Sequence, residues 1–271
     1  MHLHACLAVS ATGEDWHLVN ATPDVRLQIE SFPALHPSLT AQSPSRLRQT
    51  PLHGILLTDA ELDHTLGLPI LREGTPLDIY ATSAVLECLS ESFPLRQVLQ
   101  PYTSLRWREV KPWESFPLES GRLRVQCIPL GLKKPRYAAR MKTKGDWVIG
   151  YRFEDAKTNR AIVYAPSIEK WSQELRAVLA TASCIFLDGT FWSEDEMIRV
   201  GVGGWTAQDM GHLPISGANG TAERLSDLPG QRKIYVHVNN TNPVLEEDSI
   251  ERRYLAERGI EVGWDGMEVE V

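Results

Sequence analysis

Cysteine is scarce in this chain. Its 4 cysteines, Cys6, Cys88, Cys127 and Cys184, lie far apart and never form a C-x-x-C pair. That excludes a secreted scaffold held by disulfides, and four scattered thiols are expected to stay free in a reducing cytoplasm. No run of about 18 apolar residues occurs, so no membrane span is expected. The first residues, MHLHACLAVSATGEDW, lack a basic region followed by an apolar stretch, so no secretory signal is visible. Basic residues are in the minority: 28 Lys and Arg against 35 Asp and Glu give a net charge of −7. An acidic balance of this kind argues against a surface built for nucleic acid, though it permits a local basic patch. Low-complexity linkers and internal repeats are also missing. The 17 prolines and 19 glycines are spread along the chain, as in neither fibrous nor disordered proteins.

What remains is ordinary globular material. Hydrophobic residues make up 42% and charged residues 23% of 271 residues. That length suffices for one domain, residues 1–271, with a core that needs no cross-links. Residues 5–10 and 16–20 read as strands joined by a turn over 11–15. A helix follows, with Thr22 as N-cap, Pro23 in the first position and Asp24 at the positive end of the dipole. Strands are predicted over 53–59, 77–81, 122–130, 146–153, 160–165 and 232–238, and one over SCIFLDG. Helices are predicted over 63–73, 83–92, 168–180 and 246–258. Cys88 and Cys127 read as core residues on a helix and a strand. This mixture fits an α/β sandwich with helices outside packed sheets.

Three of the strands end in residues able to bind metal. HGILLTD leads into Glu61, Asp63 and His64; SCIFLD ends at Asp188; KIYVHV carries His237 near its end. Strand ends collect site residues because the sheet fixes their position while the loops leave them open. Imidazoles with one or two carboxylates suit a divalent first-row metal. Each residue alone has a plainer explanation, since an Asp after a strand is usually a turn residue.

TDAELDH resembles the metal-binding turn of the metallo-β-lactamase superfamily, His-x-His-x-Asp-His after a strand. Aligned on the final pair, Asp63 and His64 match, while Asp59 and Glu61 replace the first two histidines. No histidine lies between His64 and His212 to serve the first metal site. The resemblance therefore implies a degraded first site and an intact second one formed by Asp63, His64, Asp188 and His237. Asp188 is left open between direct ligation and orientation of a ligand. Asp59 and Glu61 are read as acids behind the ligands, as a remnant of the first site, or as solvated loop acids. Longer stretches, LVNATPDVRLQI, ALHP, LLTDAELDHTLGLPILREG, FLDGTFW, MGHLPISG, KIYVHVNNTNPVL and GMEVEV, resemble the coenzyme PQQ synthesis protein B family from about residue 5 to the C-terminus.

That resemblance implies a metallo-β-lactamase-like αββα sandwich and a place in the synthesis of pyrroloquinoline quinone (PQQ). The implied activity is non-haem iron oxygenation, with Fe(II) favoured over zinc, hydroxylating the tyrosine ring of a Glu-Tyr-derived precursor. The alternatives are a non-catalytic carrier that transports PQQ or its precursor, and a hydrolase of the parent superfamily. A two-metal hydrolase needs the first site, whereas two histidines and a carboxylate resemble the facial triad of iron oxygenases. His212, in the Gly-flanked loop GHLPIS, is expected to face substrate as an acid, base or hydrogen-bond donor, or else to anchor its own loop. Residues 131–145 hold six basic side chains, of which Lys133, Lys134, Arg136 and Arg140 are candidates to clamp an acidic substrate. The plainer reading is a solvated surface loop. Other proteins of the PQQ pathway are the expected partners. The family usually begins with a strand, a Gly-rich turn and a Cys-rich segment holding a structural zinc. The matching motifs start after that region and Cys6 falls in the next strand, so no structural zinc is expected; either coding sequence upstream of Met1 supplies the segment, which the exposure of a lost strand favours, or this form dispenses with it. His2 and His4 lie at a terminus expected to fray, without a role.

Overall fold

The computed structural model describes residues 4–37, 50–73, 76–218, 220–228 and 230–271. His2 and the Gly74 that closes the LREG motif lie outside the described residues. The chain forms two compact units. One runs to Leu123 and includes Lys134–Trp147; the other is Arg124–Lys133 with Val148–Val271.

The first unit carries β1 (Leu7–Val9), β2 (Trp16–Val19), β3 (Leu52–Leu56), β4 (Asp78–Ala81), β5 (Arg106–Glu109) and β6 (Ser115–Leu118). Strands β1 to β5 lie side by side in chain order. The β1–β2 pair is antiparallel, and β2 to β5 run parallel. The helices are α1 (Val25–Ser31), α2 (Leu62–Thr65), α3 (Ser83–Glu91) and α4 (Leu95–Leu99). Helix α1 starts later than its sequence predicts. Its N-cap is Asp24, without a side-chain cap bond, and the Thr22 hydroxyl donates to Gln28 Oε1 at 2.9 Å instead. The helix expected over 63–73 is broken into α2 and a 3₁₀ segment, Leu68–Glu73. Gly67 lies at the break, so close to the β2–α1 connection that a Cβ there would fall 2.3 Å from the Thr22 carbonyl oxygen. The N-terminal stretch is held down at His4, whose Nδ1 lies 2.6 Å from Asp24 Oδ2.

The second unit carries β7 (Leu123–Gly131), β8 (Val148–Asp155), β9 (Ala161–Ala165), β10 (Cys184–Asp188), β11 (Arg232–Val236) and β12 (Ile260–Val262). They lie in the order β12-β11-β10-β9-β8-β7, parallel from β9 to β12. Its helices are α5 (Gln173–Ala180), α6 (Glu196–Arg199), α7 (Thr221–Ser226) and α8 (Ile250–Glu257). Strand β10 is buried throughout, which is why CIFLD reads as a continuous apolar run rather than an alternating one. The same strand carries Asp188 to the carboxyl end of the parallel strands, where site residues collect in such sheets. Helices α5 and α8 are shorter than expected because Ser172 and Ser249 cap them, each accepting a backbone N–H at 3.0 Å. No helix among the described residues is long and apolar enough to cross a membrane.

Candidate metal centre

In the first unit the chain leaves β3 into Thr58, Asp59 and α2. Asn20, at the end of β2, adopts a left-handed φ of 67° and accepts the Thr58 N–H at 2.9 Å on Oδ1. The Thr58 hydroxyl donates to Asp59 Oδ2 at 2.7 Å, and the Glu61 N–H donates to Asp59 Oδ1 at 2.9 Å. The carboxylate so held accepts from His64 Nδ1, 2.8 Å from both oxygens. Asp59 and His64 are almost wholly buried. Burial alone would lower the His64 pKa, but the Asp59 charge and hydrogen bond, with Asp63 and Glu61 adding, raise it to about 9. The same partnership keeps the Asp59 carboxyl below its ordinary range despite burial. Asp63 is partly exposed, its Oδ2 3.9 Å from His64 Nε2. Asp63 and His64 Nε2 therefore face one place, with Asp59 behind the ring. Glu61 is the N-cap of α2, and its carbonyl accepts the Thr65 hydroxyl at 2.9 Å.

In the second unit Asp188 is fully buried at the end of β10. Its Oδ2 accepts the Ile168 N–H at 2.8 Å and lies 2.8 Å from His212 Nδ1. Its Oδ1 accepts the Thr190 N–H at 3.1 Å and the Thr190 hydroxyl at 2.6 Å. Burial pushes the Asp188 carboxyl up, but His212, His237 and Thr190 together hold it below its ordinary value, so it is ionised at neutral pH. An ionised carboxylate offers only acceptors, so His212 Nδ1 donates and its Nε2 keeps the lone pair.

Backbone contacts carry His212 to this carboxylate. The Leu213 N–H donates to the Ile168 carbonyl at 2.8 Å, and Gly211 turns the chain with a φ of 88°. The His212 ring stacks on His237 with centroids 5.6 Å apart and planes 21° from parallel; Phe191 meets it edge-on. His237 follows β11 directly and adopts a left-handed φ of 58°, which costs a side-chain-bearing residue about 1–2 kcal/mol. One oxygen of Asp188 and one nitrogen each of His212 and His237 lie within 4.8 Å of one another. Two imidazoles whose far nitrogens are held, beside a carboxylate, suit Fe(II) or Zn(II), so these residues fit a divalent first-row metal.

The basic segment is divided between the units. Lys133 belongs to the second, where its ammonium donates to the Asp209 carbonyl and lies over the Trp205 ring. Lys134, in the first, donates to the Met141 carbonyl at 2.7 Å and lies over Trp147. Arg136 opens a 3₁₀ turn, Arg136–Ala138, and Arg140 is exposed beyond it. Both lysine ammoniums thus bind their own surroundings.

A model of the β-lactamase superfamily domain matches residues 15–238. A coenzyme PQQ synthesis protein B from Cupriavidus necator is 43% identical over 269 residues, covering 97% of this chain and 86% of that protein. The chain belongs to the PqqB family. A second family member, from Methylococcus capsulatus, is 40% identical over 275 residues and covers the same shares of the two chains. The crystal structure of Zn(2+)-bound PqqB from Methylobacterium extorquens superposes with a TM-score of 0.88 at 33% identity, covering 99% of this chain and 88% of that one. A diphosphatase of the PhnP family shares the fold at a TM-score of 0.65 and 18% identity. The fold is the metallo-β-lactamase fold, as the sequence motifs of the PqqB family imply.

Sequence reasoning passed over Asn20, Thr58 and Thr190, which hold the acids behind the histidines. Their signal was the short polar residue next to each strand-end acid, T-D at 58–59 and D-G-T at 188–190, a pattern common to ordinary turns. Sequence reasoning read His212 as facing substrate or anchoring its own loop, and the structure sets its Nδ1 2.8 Å from Asp188 Oδ2.

Proposed function

We propose that this PqqB-family chain is an Fe(II)-dependent oxygenase of PQQ biosynthesis, hydroxylating the tyrosine ring of a Glu-Tyr-derived precursor in the cytoplasm. The observation that carries the reading is the cluster of buried Asp188 with His212 and His237, one oxygen and two nitrogens within 4.8 Å of one another. The strand-end motif implies Asp63 and His64 as further metal ligands. His212 moves from the acid–base role expected of it to the ion, since its Nδ1 is committed to Asp188. Asp188 takes the orienting role because both its oxygens already accept two donors each.

Zinc in the Methylobacterium extorquens relative supports metal binding in the family. Iron is preferred here because zinc has no redox chemistry and inserting oxygen into a ring C–H requires it. Bound Fe(II) would supply the activation of dioxygen. One oxygen atom enters the ring and the other leaves as water, so two electrons must come from a reductant outside the chain. Asp59 and Asp188 hold the imidazoles in one orientation, and the basic side chains Arg136 and Arg140 draw in the carboxylates of the substrate. Other proteins of the pathway would supply the precursor and take the product.

The test is anaerobic reconstitution with Fe(II), followed by Glu-Tyr, dioxygen and ascorbate in a single-turnover assay. The expected result is one ring hydroxyl added per iron, seen by mass spectrometry. Full iron occupancy without hydroxylated product refutes the reading. Tight quinone binding that survives replacement of His64 and His237, without turnover, replaces it with a carrier.

A further inference from the structure

We infer that Thr190 is a positioning residue whose hydroxyl relays Asp188 to His237, fixing that ring with its proton on Nδ1 and its lone pair on Nε2. Its consequence for metal affinity rests on the metal-site reading above; the tautomer does not. The Thr190 hydroxyl lies 2.6 Å from Asp188 Oδ1 and 2.8 Å from His237 Nδ1. A hydroxyl has one hydrogen. A carboxylate can only accept, so the hydrogen goes to Asp188 and the oxygen's remaining role toward His237 is as acceptor. His237 Nδ1 must then carry the ring proton, and a neutral imidazole has no second one. Nε2 is left as the basic nitrogen, the state a metal ligand needs.

The backbone holds both ends of the relay in place. The Thr190 N–H is bound to Asp188 Oδ1, and its carbonyl accepts the Asn239 N–H at 3.1 Å. The Gly189 N–H donates to the Val236 carbonyl at 2.8 Å, and Asn242 Nδ2 donates to the Gly189 carbonyl at 2.9 Å. Glycine is required at 189, because a Cβ would fall 2.8 Å from that of Tyr235. The left-handed His237 then follows immediately after Val236. One buried carboxylate so presets two imidazoles, His212 directly and His237 through a hydroxyl.

The experiment uses metal-free protein labelled with ¹⁵N-histidine, at a pH where the imidazoles are neutral. Long-range ¹H–¹⁵N correlation reads the tautomer of each ring. Wild type and Thr190→Ser are expected to show His237 protonated on Nδ1, and Thr190→Val to show it on Nε2, with His212 unchanged in all three. Zn(II) affinity, measured by competition with a chromophoric chelator, is expected to fall about 10- to 100-fold in Thr190→Val and to be restored by serine. Protonation of wild-type His237 on Nε2 overturns the inference and requires no variant to fold. Wild-type tautomer and affinity in a folded Thr190→Val also overturn it. Should wild type bind no metal, the metal-site reading fails while the tautomer still decides the relay.

Discussion

Replacing Asp188 by Asn removes one charge while keeping the shape of the side chain, and the consequence follows from its four donors. Ile168 N, His212 Nδ1, Thr190 N and the Thr190 hydroxyl all point hydrogens at the carboxylate, at 2.8, 2.8, 3.1 and 2.6 Å. An Asn amide has one acceptor oxygen and one NH₂ group. If the oxygen serves Thr190, the NH₂ faces Ile168 and His212. His212 can adapt by moving its proton to Nε2, but the buried Ile168 N–H loses its acceptor, at about 1–3 kcal/mol. The surviving bonds also lose their charge assistance, roughly 1 kcal/mol more. Relief from burying a charge offsets part of this, so a net destabilisation of about 2–4 kcal/mol is expected. Because His212 now carries its proton on Nε2, metal affinity should drop about 10- to 100-fold. Urea denaturation and a chelator competition assay measure the two effects. Asp188→Asn that unfolds within about 1 kcal/mol of wild type and binds metal as tightly would refute the orienting role. Complete loss of metal binding in a folded variant would make Asp188 a ligand itself.

Three further outcomes follow from the same geometry. His17 is nearly buried at the start of β2; burial, with His53 adding, lowers its pKa from 6.5 to about 4. A depressed folded-state pKa means stability present above pH 6.5 and lost as pH falls toward 4, at most about 3 kcal/mol. Urea midpoints of His17→Gln should therefore fall less steeply than wild type across that window, and parallel curves would refute the assignment. Gly67→Ala places a Cβ 2.3 Å from the Thr22 carbonyl oxygen, so a loss of about 1–3 kcal/mol and a lower Tm are expected; an unchanged Tm by calorimetry would contradict the packing. Thr82 caps α3, accepting the Val85 N–H at 3.4 Å while its hydroxyl donates to the Asp146 carbonyl at 2.8 Å. Thr82→Ala should cost about 1–2 kcal/mol in chemical denaturation, and a cost near zero would show the cap contributes nothing.

Much of the fold is legible wherever local chemistry and burial agree. SCIFLDG reads as a strand ending in an acid, and β10 runs Cys184–Asp188. Residues 83–92 read as an amphipathic helix, and α3 spans Ser83–Glu91 with Thr82 as its cap. Errors arise where competing contacts intervene. Thr22 has the right side chain for a cap, yet its hydroxyl is taken by Gln28, and the helix begins two residues later than expected, at Val25. Residues 63–73 carry helical periodicity, but Gly67 must approach the Ala21–Thr22 backbone, and the segment breaks there. Strand β5 escaped notice because RWRE is largely exposed and carries no apolar alternation.

The sequence by itself determined the family and the kinds of atom available for chemistry. Long motifs in order identify the fold, and acids and histidines at strand ends supply atoms able to bind metal, because both are properties of contiguous residues. Only the tertiary structure decided which groups each of those residues meets. Asp188, Thr190, His212 and His237 span nearly fifty positions of chain, and their roles depend on which nitrogen holds a proton. That proton's place is set by hydrogen bonds 2.6–2.8 Å long between groups far apart in sequence. Parallel alignment of β10 with β11 supplies that proximity, and no local pattern encodes it.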